Sequence, residues 1–218
     1  MMQLQPLFTR ISAAALIGIL TACSGTYYKT MESFGLEKRD ILVDRVEDAR
    51  DAQEEASEQF ASALDQFRSV VAFDGGDLEK VYDRLNSEYE RSRDDAAAVS
   101  ERIDEVESVA EDLFEEWQRE LDEFSRADLR RNSESLLRDT QRRYEQMMAA
   151  MRRAEGSMDP VLESFQDQVL MLKHNLNARA IGALKNELGS IEKETARLIT
   201  DMQNAIAEAD TFIRSMEQ

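Results

Sequence analysis

Apolar and aromatic residues recur every four and three positions from Leu78 to Trp117, and this spacing constrains the fold more than any other feature of the chain. Eleven of the twelve positions are apolar or aromatic, and only Ser92 interrupts them. Alternating steps of four and three place side chains on one stripe of an α-helix, which a coiled coil or bundle buries against its neighbours. The intervening positions are mostly charged or small, so we expect one buried edge and broad solvated faces.

Two other segments repeat this pattern. Between Leu42 and Val70, eight of nine positions at the same spacing are apolar, and between Ile181 and Met216, ten of eleven are. A weaker stripe runs over residues 137–154. The sequence therefore predicts an all-α protein, a long antiparallel coiled coil or elongated three-helix bundle.

Glycine and proline set the predicted boundaries. The run Asp74-Gly75-Gly76-Asp77 breaks the first helix, and Asp77 is a suitable N-cap for the next. The run 156–160 (GSMDP) has the glycine and proline typical of a second turn. We predict helices over about 36–73, 78–155 and 160–216. A phase shift near 125–128 predicts a kink, and a slip of the stripe within 175–184 predicts local unwinding.

Composition excludes several classes of function. One third of the residues are charged and the formal net charge is −18, so phosphates of nucleic acids and an extended contact with an anionic membrane are disfavoured. The single cysteine, Cys23, forms no internal disulfide and no cysteine-rich metal site. We therefore expect no nucleic-acid partner.

The N-terminal segment indicates export. Arg10 precedes a ten-residue apolar run, 11–20, which is too short to span a bilayer as a stable helix. Leu20-Thr21-Ala22-Cys23 resembles the lipobox of bacterial lipoproteins, which implies cleavage after residue 22 and lipidation of Cys23. Residues 1–22 are then a signal peptide, 23–35 a lipidated tether and 36–218 the helical part. The alternative is an ordinary signal peptide followed by an incidental cysteine.

Signals for catalysis are nearly absent. His174 is the one histidine, so a di-iron site with two Glu-x-x-His pairs cannot form, and no free cysteine accompanies it. No glycine-rich phosphate loop follows a predicted strand. We predict a non-enzymatic protein with no cofactor, no metal and no small-molecule substrate.

The charge is unevenly distributed. Residues 44–123 contain 27 acids and 9 bases, whereas residues 126–153 contain 8 arginines and 4 acids. Arginine binds carboxylates and phosphates through its planar fork, so this segment is a candidate docking surface for an anionic envelope ligand or an acidic protein. Alternatively, these arginines pair with acidic faces of neighbouring helices or of a second subunit. The candidate docking residues are Arg131, Arg138, Arg142 and Arg143.

The chain resembles a family of Gram-negative lipoproteins known as domain of unknown function 2959. The resemblance is carried by Tyr27-Tyr28-Lys29 after the lipobox and by the segments 34–50 (FGLEKRDILVDRVEDAR), 73–89 (FDGGDLEKVYDRLNSEY) and 172–184 (LKHNLNARAIGAL). It implies a helical, secreted, membrane-tethered protein and brings no assigned activity. Because residue 24 is Ser rather than Asp, the resemblance implies the periplasmic face of the outer membrane. We expect a helical scaffold or interaction module there, with a protein partner or self-association.

Overall fold

The computed structural model of the chain describes residues 38–72, 75, 77–175 and 178–217. The chain divides into two compact units, Met1–Lys38 and Arg39–Gln218. Of the first unit only Lys38 is described, so the predicted signal peptide and tether lie outside the described residues. The helices are α1 (Lys38–Val71), α2 (Leu78–Glu120), α3 (Ala127–Gly156), α4 (Met158–His174) and α5 (Ala178–Met216), and a 3-10 turn at Leu121–Glu123 follows α2.

The break between α1 and α2 is confirmed. Helix α1 ends at Val71, and Gly75 has a φ of +156°, a backbone conformation that favours glycine. The carboxylate of Asp77 accepts a hydrogen bond from the backbone N–H of Glu79 at 3.2 Å, as expected of an N-cap. All nine stripe positions of α1 are buried, so the spacing identified the inward face of this helix correctly.

The prediction of one helix over 78–155 is wrong, because the chain reverses between α2 and α3. Phe124 and Arg126 are extended, with ψ values of 116° and 120°. The ring centroids of Phe114 and Tyr144 lie 5.3 Å apart, and Arg152 donates a 2.7 Å hydrogen bond to Asp104, so α3 runs antiparallel to α2. The predicted kink is thus a full turn. It contains no glycine or proline to mark it.

The predicted turn at 156–160 does not reverse the chain. Ser157 keeps right-handed helical angles, and its backbone N–H donates to the carbonyls of Arg153 and Ala154 at 3.1 Å. Pro160 is the third residue of α4, where a missing N–H leaves no helical bond unmade. Helices α3 and α4 therefore follow one another as a single rod.

The second reversal lies at Asn175, where only local unwinding was predicted. Its backbone leaves the helical region (φ −136°, ψ 67°) and α5 then runs back along α4 and α3. Ser164 donates to Glu194 at 2.9 Å and Ser157 donates to Asp201 at 2.7 Å. The predicted third helix over 160–216 is therefore two antiparallel helices.

Helix α1 completes the bundle. Its Gln59 donates to the Glu88 carboxylate of α2 at 2.8 Å, and its Arg68 pairs with Glu192 of α5 at 2.8 Å. Arg45 lies near Glu105 and Arg50 pairs with Asp210, so α1 runs antiparallel to both α2 and α5. The Phe67 ring stacks on Phe165 of α4 with centroids 4.8 Å apart. The described residues thus form an up-down-up-down bundle of four rods. The all-α antiparallel class is confirmed, with four rods in place of the three predicted.

The core is apolar apart from a few polar side chains. The largest fully buried side chains include Phe60, Phe67, Phe165 and Phe212. Gln53 is fully buried, and neither its amide nitrogen nor its amide oxygen has a hydrogen-bond partner. A buried amide without a partner loses its hydration and gains nothing in return. Gln53 is therefore a destabilising residue in an otherwise well-packed stripe.

We predict that Gln53→Leu raises the free energy of unfolding by about 1–3 kcal/mol, because leucine has a similar volume and no polar atoms to satisfy. Gln59→Leu is the matched control on the same helix, since Gln59 has partners on Glu88, and it should give no gain. Urea unfolding followed by circular dichroism measures both. A loss of stability in Gln53→Leu would show that the amide is satisfied in solution.

Candidate functional site

The α2–α3 hairpin extends beyond the other two rods. Tyr144 of α3 contacts both Phe114 of α2 and Phe212 of α5, with ring centroids 5.3 and 6.4 Å apart. From Phe212 to its end at Met216, α5 continues for about 6 Å at ~1.5 Å per residue. From Tyr144 back to its start at Ala127, α3 extends for about 25 Å in the same direction. The hairpin therefore overhangs α5 by roughly 20 Å.

Helix α1 also starts near this level. Arg45 of α1 lies 3.9 Å from the carboxylate of Glu105 of α2. Because the two helices are antiparallel, Lys38, seven positions earlier, lies level with about residue 112. Residues 113–140, called the hairpin arm below, thus extend past α5 and past the described part of α1. No other described helix runs beside this arm.

The two limbs of the hairpin arm, which are its α2 part and its α3 part, contact each other. The Trp117 indole N–H donates to the Ser133 hydroxyl at 2.8 Å. Leu121 in the 3-10 turn and Leu137 in α3 are buried between the limbs. These contacts make the arm an ordered hairpin. It continues the bundle with two helices in place of four.

One face of the hairpin arm is uncovered. Leu129, Leu136, Arg143 and Ala150 follow one another at seven-residue spacing and so form one column along α3. Ala150, which lies within the four-rod region, is buried, whereas Leu129 and Leu136 are 41% and 60% exposed. Phe124 at the turn is 39% exposed. Leu129 and Leu136, called the apolar column below, continue the face that is buried at Ala150, and they are exposed because α5 ends below them.

The four predicted docking arginines lie on α3, and all four are exposed. Arg138 lies 3.9 Å from Glu134, and Arg142 lies 2.8 Å from Asp139, so each has a partner on its own helix. Arg131 and Arg143 form no ion pair with any residue that the structure describes. The spacing of seven and four places Arg131, Arg138 and Arg142 on one outward stripe. Arg143 lies apart from them, in line with Leu136 and Ala150.

Other arginines of the segment 126–153 act within the fold. Arg126 pairs with Asp128, and Arg130 pairs with Asp122 across the turn at 2.8 Å. Arg152 bonds to Asp104, Glu107 and Glu155 and so ties α3 to α2. Partial burial opposes the charge of Arg152, yet these carboxylates raise the pKa of its guanidinium above the usual value. Several arginines of the basic segment thus form ion pairs within the bundle.

Tyr144 lies where the four-rod region gives way to the hairpin arm. Partial burial, together with the nearby carboxylates of Glu107 and Glu111, raises the pKa of its phenol to about 12. Both causes disfavour the phenolate. The neutral phenol is therefore the form that packs against Phe114 and Phe212.

The remaining sequence predictions have different outcomes. Cys23 and Asp74 lie outside the described residues. His174 is exposed at the end of α4. Among the residues that the structure describes, no group of three histidine, cysteine or carboxylate side chains could hold a metal ion. Within the same ranges, no helix has both the length and the apolar character needed to cross a bilayer.

The uncovered apolar column was missed at the level of sequence. Leu129 and Leu136 flank the predicted stripe of α3, and two flanking leucines do not by themselves predict exposure. The available signal was the seven-residue spacing from Leu129 through Leu136 to Ala150, combined with helix lengths that leave α2 and α3 without neighbours. That second condition needs the turn at Leu121–Arg126 to be known.

The chain matches a family model described as a protein of unknown function (DUF2959) over residues 27–216. This match covers most of the chain, which therefore belongs to that family, as the sequence motifs predicted. The family description assigns no activity. No curated protein matches the chain significantly.

We predict that Leu137→Ala lowers the free energy of unfolding by about 2–4 kcal/mol, because Leu137 is 2% exposed between the limbs. The adjacent Leu136→Ala should change it by less than about 0.5 kcal/mol, since this side chain is mostly solvated. Urea unfolding followed by the fluorescence of Trp117, the single tryptophan, reports on the hairpin arm directly. Equal effects of the two substitutions would contradict the described packing of the arm.

We predict that Tyr144 makes the fold sensitive to alkali. Below pH 10.0, the ordinary pKa of the phenol, Tyr144 is protonated in both folded and unfolded chains. Between this value and about 12 the unfolded chain loses the proton first, so the stability conferred by the neutral phenol falls as pH rises. Tyr144→Phe should lose less stability over this interval. Parallel pH profiles of wild type and variant would refute the raised pKa.

Proposed function

We propose that the chain is a non-enzymatic lipoprotein, anchored to the periplasmic face of the outer membrane through Cys23, that acts as a helical scaffold. In this proposal the hairpin arm is its interaction surface. The observation that carries the proposal is the apolar column of Leu129 and Leu136, which remains exposed on an ordered, protruding hairpin. Exposed apolar surface of this kind is typical of protein interaction sites.

The anchor rests on the N-terminal sequence. A basic residue, a ten-residue apolar run and the only cysteine of the chain follow one another in the order that a lipoprotein signal requires. Several acyl chains on one residue give stable anchoring, whereas one chain gives marginal binding. Residues 24–35 are then a tether of up to ~40 Å at ~3.3 Å per residue.

The position of the arm supports its role. Helix α1 begins level with the base of the arm, so the chain that joins α1 to the proposed anchor enters the bundle at the same end. A partner held by the arm would therefore be held at the end to which the tether is attached. The opposite end, at the α4–α5 turn, lies tens of ångströms away along helices of ~1.5 Å rise per residue.

A second candidate function is binding of an anionic envelope ligand by the outward arginine stripe. Its supporting observation is that Arg131 has no ion-pair partner among the described residues and lies on the same stripe as Arg138 and Arg142. Each of the latter two is held by one carboxylate of its own helix. Such exposed pairs are weak and can be exchanged for a phosphate or carboxylate ligand.

The anchor is tested with Cys23→Ser. We expect the wild-type chain to fractionate with the outer membrane and to incorporate labelled palmitate, and the variant to incorporate none and to become soluble in the periplasm. Incorporation of label by the variant, or an unlabelled wild-type chain, would contradict the proposal that the chain is lipidated at Cys23.

The interaction surface is tested by in-cell photo-crosslinking. A photoreactive residue at position 136 or 143 should capture a discrete protein. The same residue at position 170 is the matched control, because Leu170 is 43% exposed but lies near the other end of the bundle. Equal capture from positions 136 and 170 would show that the arm is not a preferred surface.

The ligand alternative is tested with the triple variant Arg131→Glu, Arg138→Glu, Arg142→Glu against purified lipopolysaccharide. We expect salt-sensitive binding that this variant loses while its helicity is unchanged. The control triple Arg84→Glu, Arg93→Glu, Arg197→Glu changes the net charge equally at exposed sites on other helices. An equal loss in both variants would indicate a general charge effect in place of a site.

A further inference from the structure

We propose that the uncovered face of the hairpin arm is covered by the arm of a second copy of this chain. The two arms would run antiparallel and form a four-helix section between two bundles. The inference deepens the proposed function, because it names the partner of the surface on which that function rests.

The shape of the gap favours this occupant. Among the described residues, a cross-section below the arm contains four rods and a cross-section within the arm contains two, because the described part of α1 begins and α5 ends at nearly the same level. Beside the described arm there is therefore room for an antiparallel pair of helices about 20 Å long. The arm is itself an antiparallel pair of that length. Two arms related by a two-fold axis fill each other's gap, as in an isologous dimer.

The apolar column is placed symmetrically for such a pairing. The α3 limb runs from the turn near residue 126 to about residue 140, so its midpoint lies near Ser133. Leu129 and Leu136 lie on either side of this midpoint, at four and three residues from it. When the tip of each arm meets the bundle of the other copy, Leu129 of one copy faces Leu136 of the second copy, and the contact occurs twice. The two most exposed leucines of the arm would thus bury each other.

The charges at the ends of the arm also match. A two-fold axis across the arms keeps each α2 limb beside its counterpart, so the acidic tip of α2 comes to lie over the start of α1 in the second copy. Asp122 and Glu123 would meet Arg39 and the N-terminal end of α1, whose partial charge is positive. Arg39 is exposed and forms no ion pair with a described residue. The basic start of α3, at Arg126, would meet the C-terminal end of α5, whose partial charge is negative.

The charge of the α2 limbs opposes the association, because residues 113–123 contain five acids and one base. Glu120 of each copy would lie on the α2 limbs that run side by side, and like charges repel across such a contact. Glu120 has no ion-pair partner in the described part of the chain, so neutralising it breaks nothing within one copy. Glu120→Gln should therefore tighten the dimer.

The first experiment measures the mass of the full chain in mild detergent. Analytical ultracentrifugation of the full chain over a dilution series should show a dimer. Leu136→Glu should weaken it at least ten-fold, and Leu170→Glu should leave it unchanged. Both positions are exposed, so the fold is expected to survive, and circular dichroism verifies this.

Trp117 gives a second readout, since its emission should shift to the blue as copies associate. A monomer at every concentration overturns the inference.

The second experiment exchanges charges across the interface. Arg39→Glu alone and Glu123→Arg alone should each weaken the dimer, because each sets like charges against each other in both symmetric contacts. The double variant Arg39→Glu, Glu123→Arg should restore it. Additive weakening in the double variant contradicts the two-fold arrangement.

The outcomes separate this inference from the function on which it rests. A monomeric chain whose position 136 still captures a different protein, or whose arm is covered by residues 1–37 of the same copy, overturns the second-copy proposal. In the first of these cases the arm remains an interaction surface. A monomeric chain with no capture from position 136 overturns both the second-copy proposal and the role of the arm.

Discussion

The fold depends on covering one apolar stripe on each helix with neighbours of sufficient length. In the four-rod region this requirement is met, and side chains such as Phe67 and Phe165 lie against each other with no solvent access. The burial of apolar surface at roughly 25 cal/mol per Å2 is the main stabilising contribution available to such a bundle. Because α2 and α3 are longer than the region that the described part of α1 and α5 cover, no described helix meets the same requirement in the hairpin arm. The candidate site follows from this mismatch of lengths.

Electrostatic contacts play a smaller part in stability. Most ion pairs of the bundle join residues three or four positions apart on one helix, such as Arg142 with Asp139, and are largely solvated. Because such ion pairs lie within one helix, they do not determine which helices pack against each other. Arg152 is an exception, since it joins carboxylates on two helices. The many charges of the chain therefore define which faces stay in solvent, whereas the apolar stripes define which faces are buried.

Helix positions and inward faces were predictable from the sequence, and the course of the chain was not. The spacing of four and three gives the face of a helix without its direction, so α2 and α3 appeared as one continuous helix. Gly156 and Pro160 predicted a reversal where the backbone stays helical, while the true reversals at Phe124 and Asn175 contain neither residue. Of the candidate site, the arginines were found from composition. The exposed leucines were not, because exposure depends on where the neighbouring helices end.

The even number of rods places the start of α1 and the end of α5 at the same end of the bundle. These two helices are antiparallel neighbours, joined by contacts such as Arg50 with Asp210. A force that separates Lys38 from Met216 would therefore load their contacts one helical turn after another, in an unzipping geometry. A three-rod bundle would place its ends at opposite poles and resist such a force by shear along the whole interface. Pulled from its two ends, this bundle is expected to yield gradually and at low force.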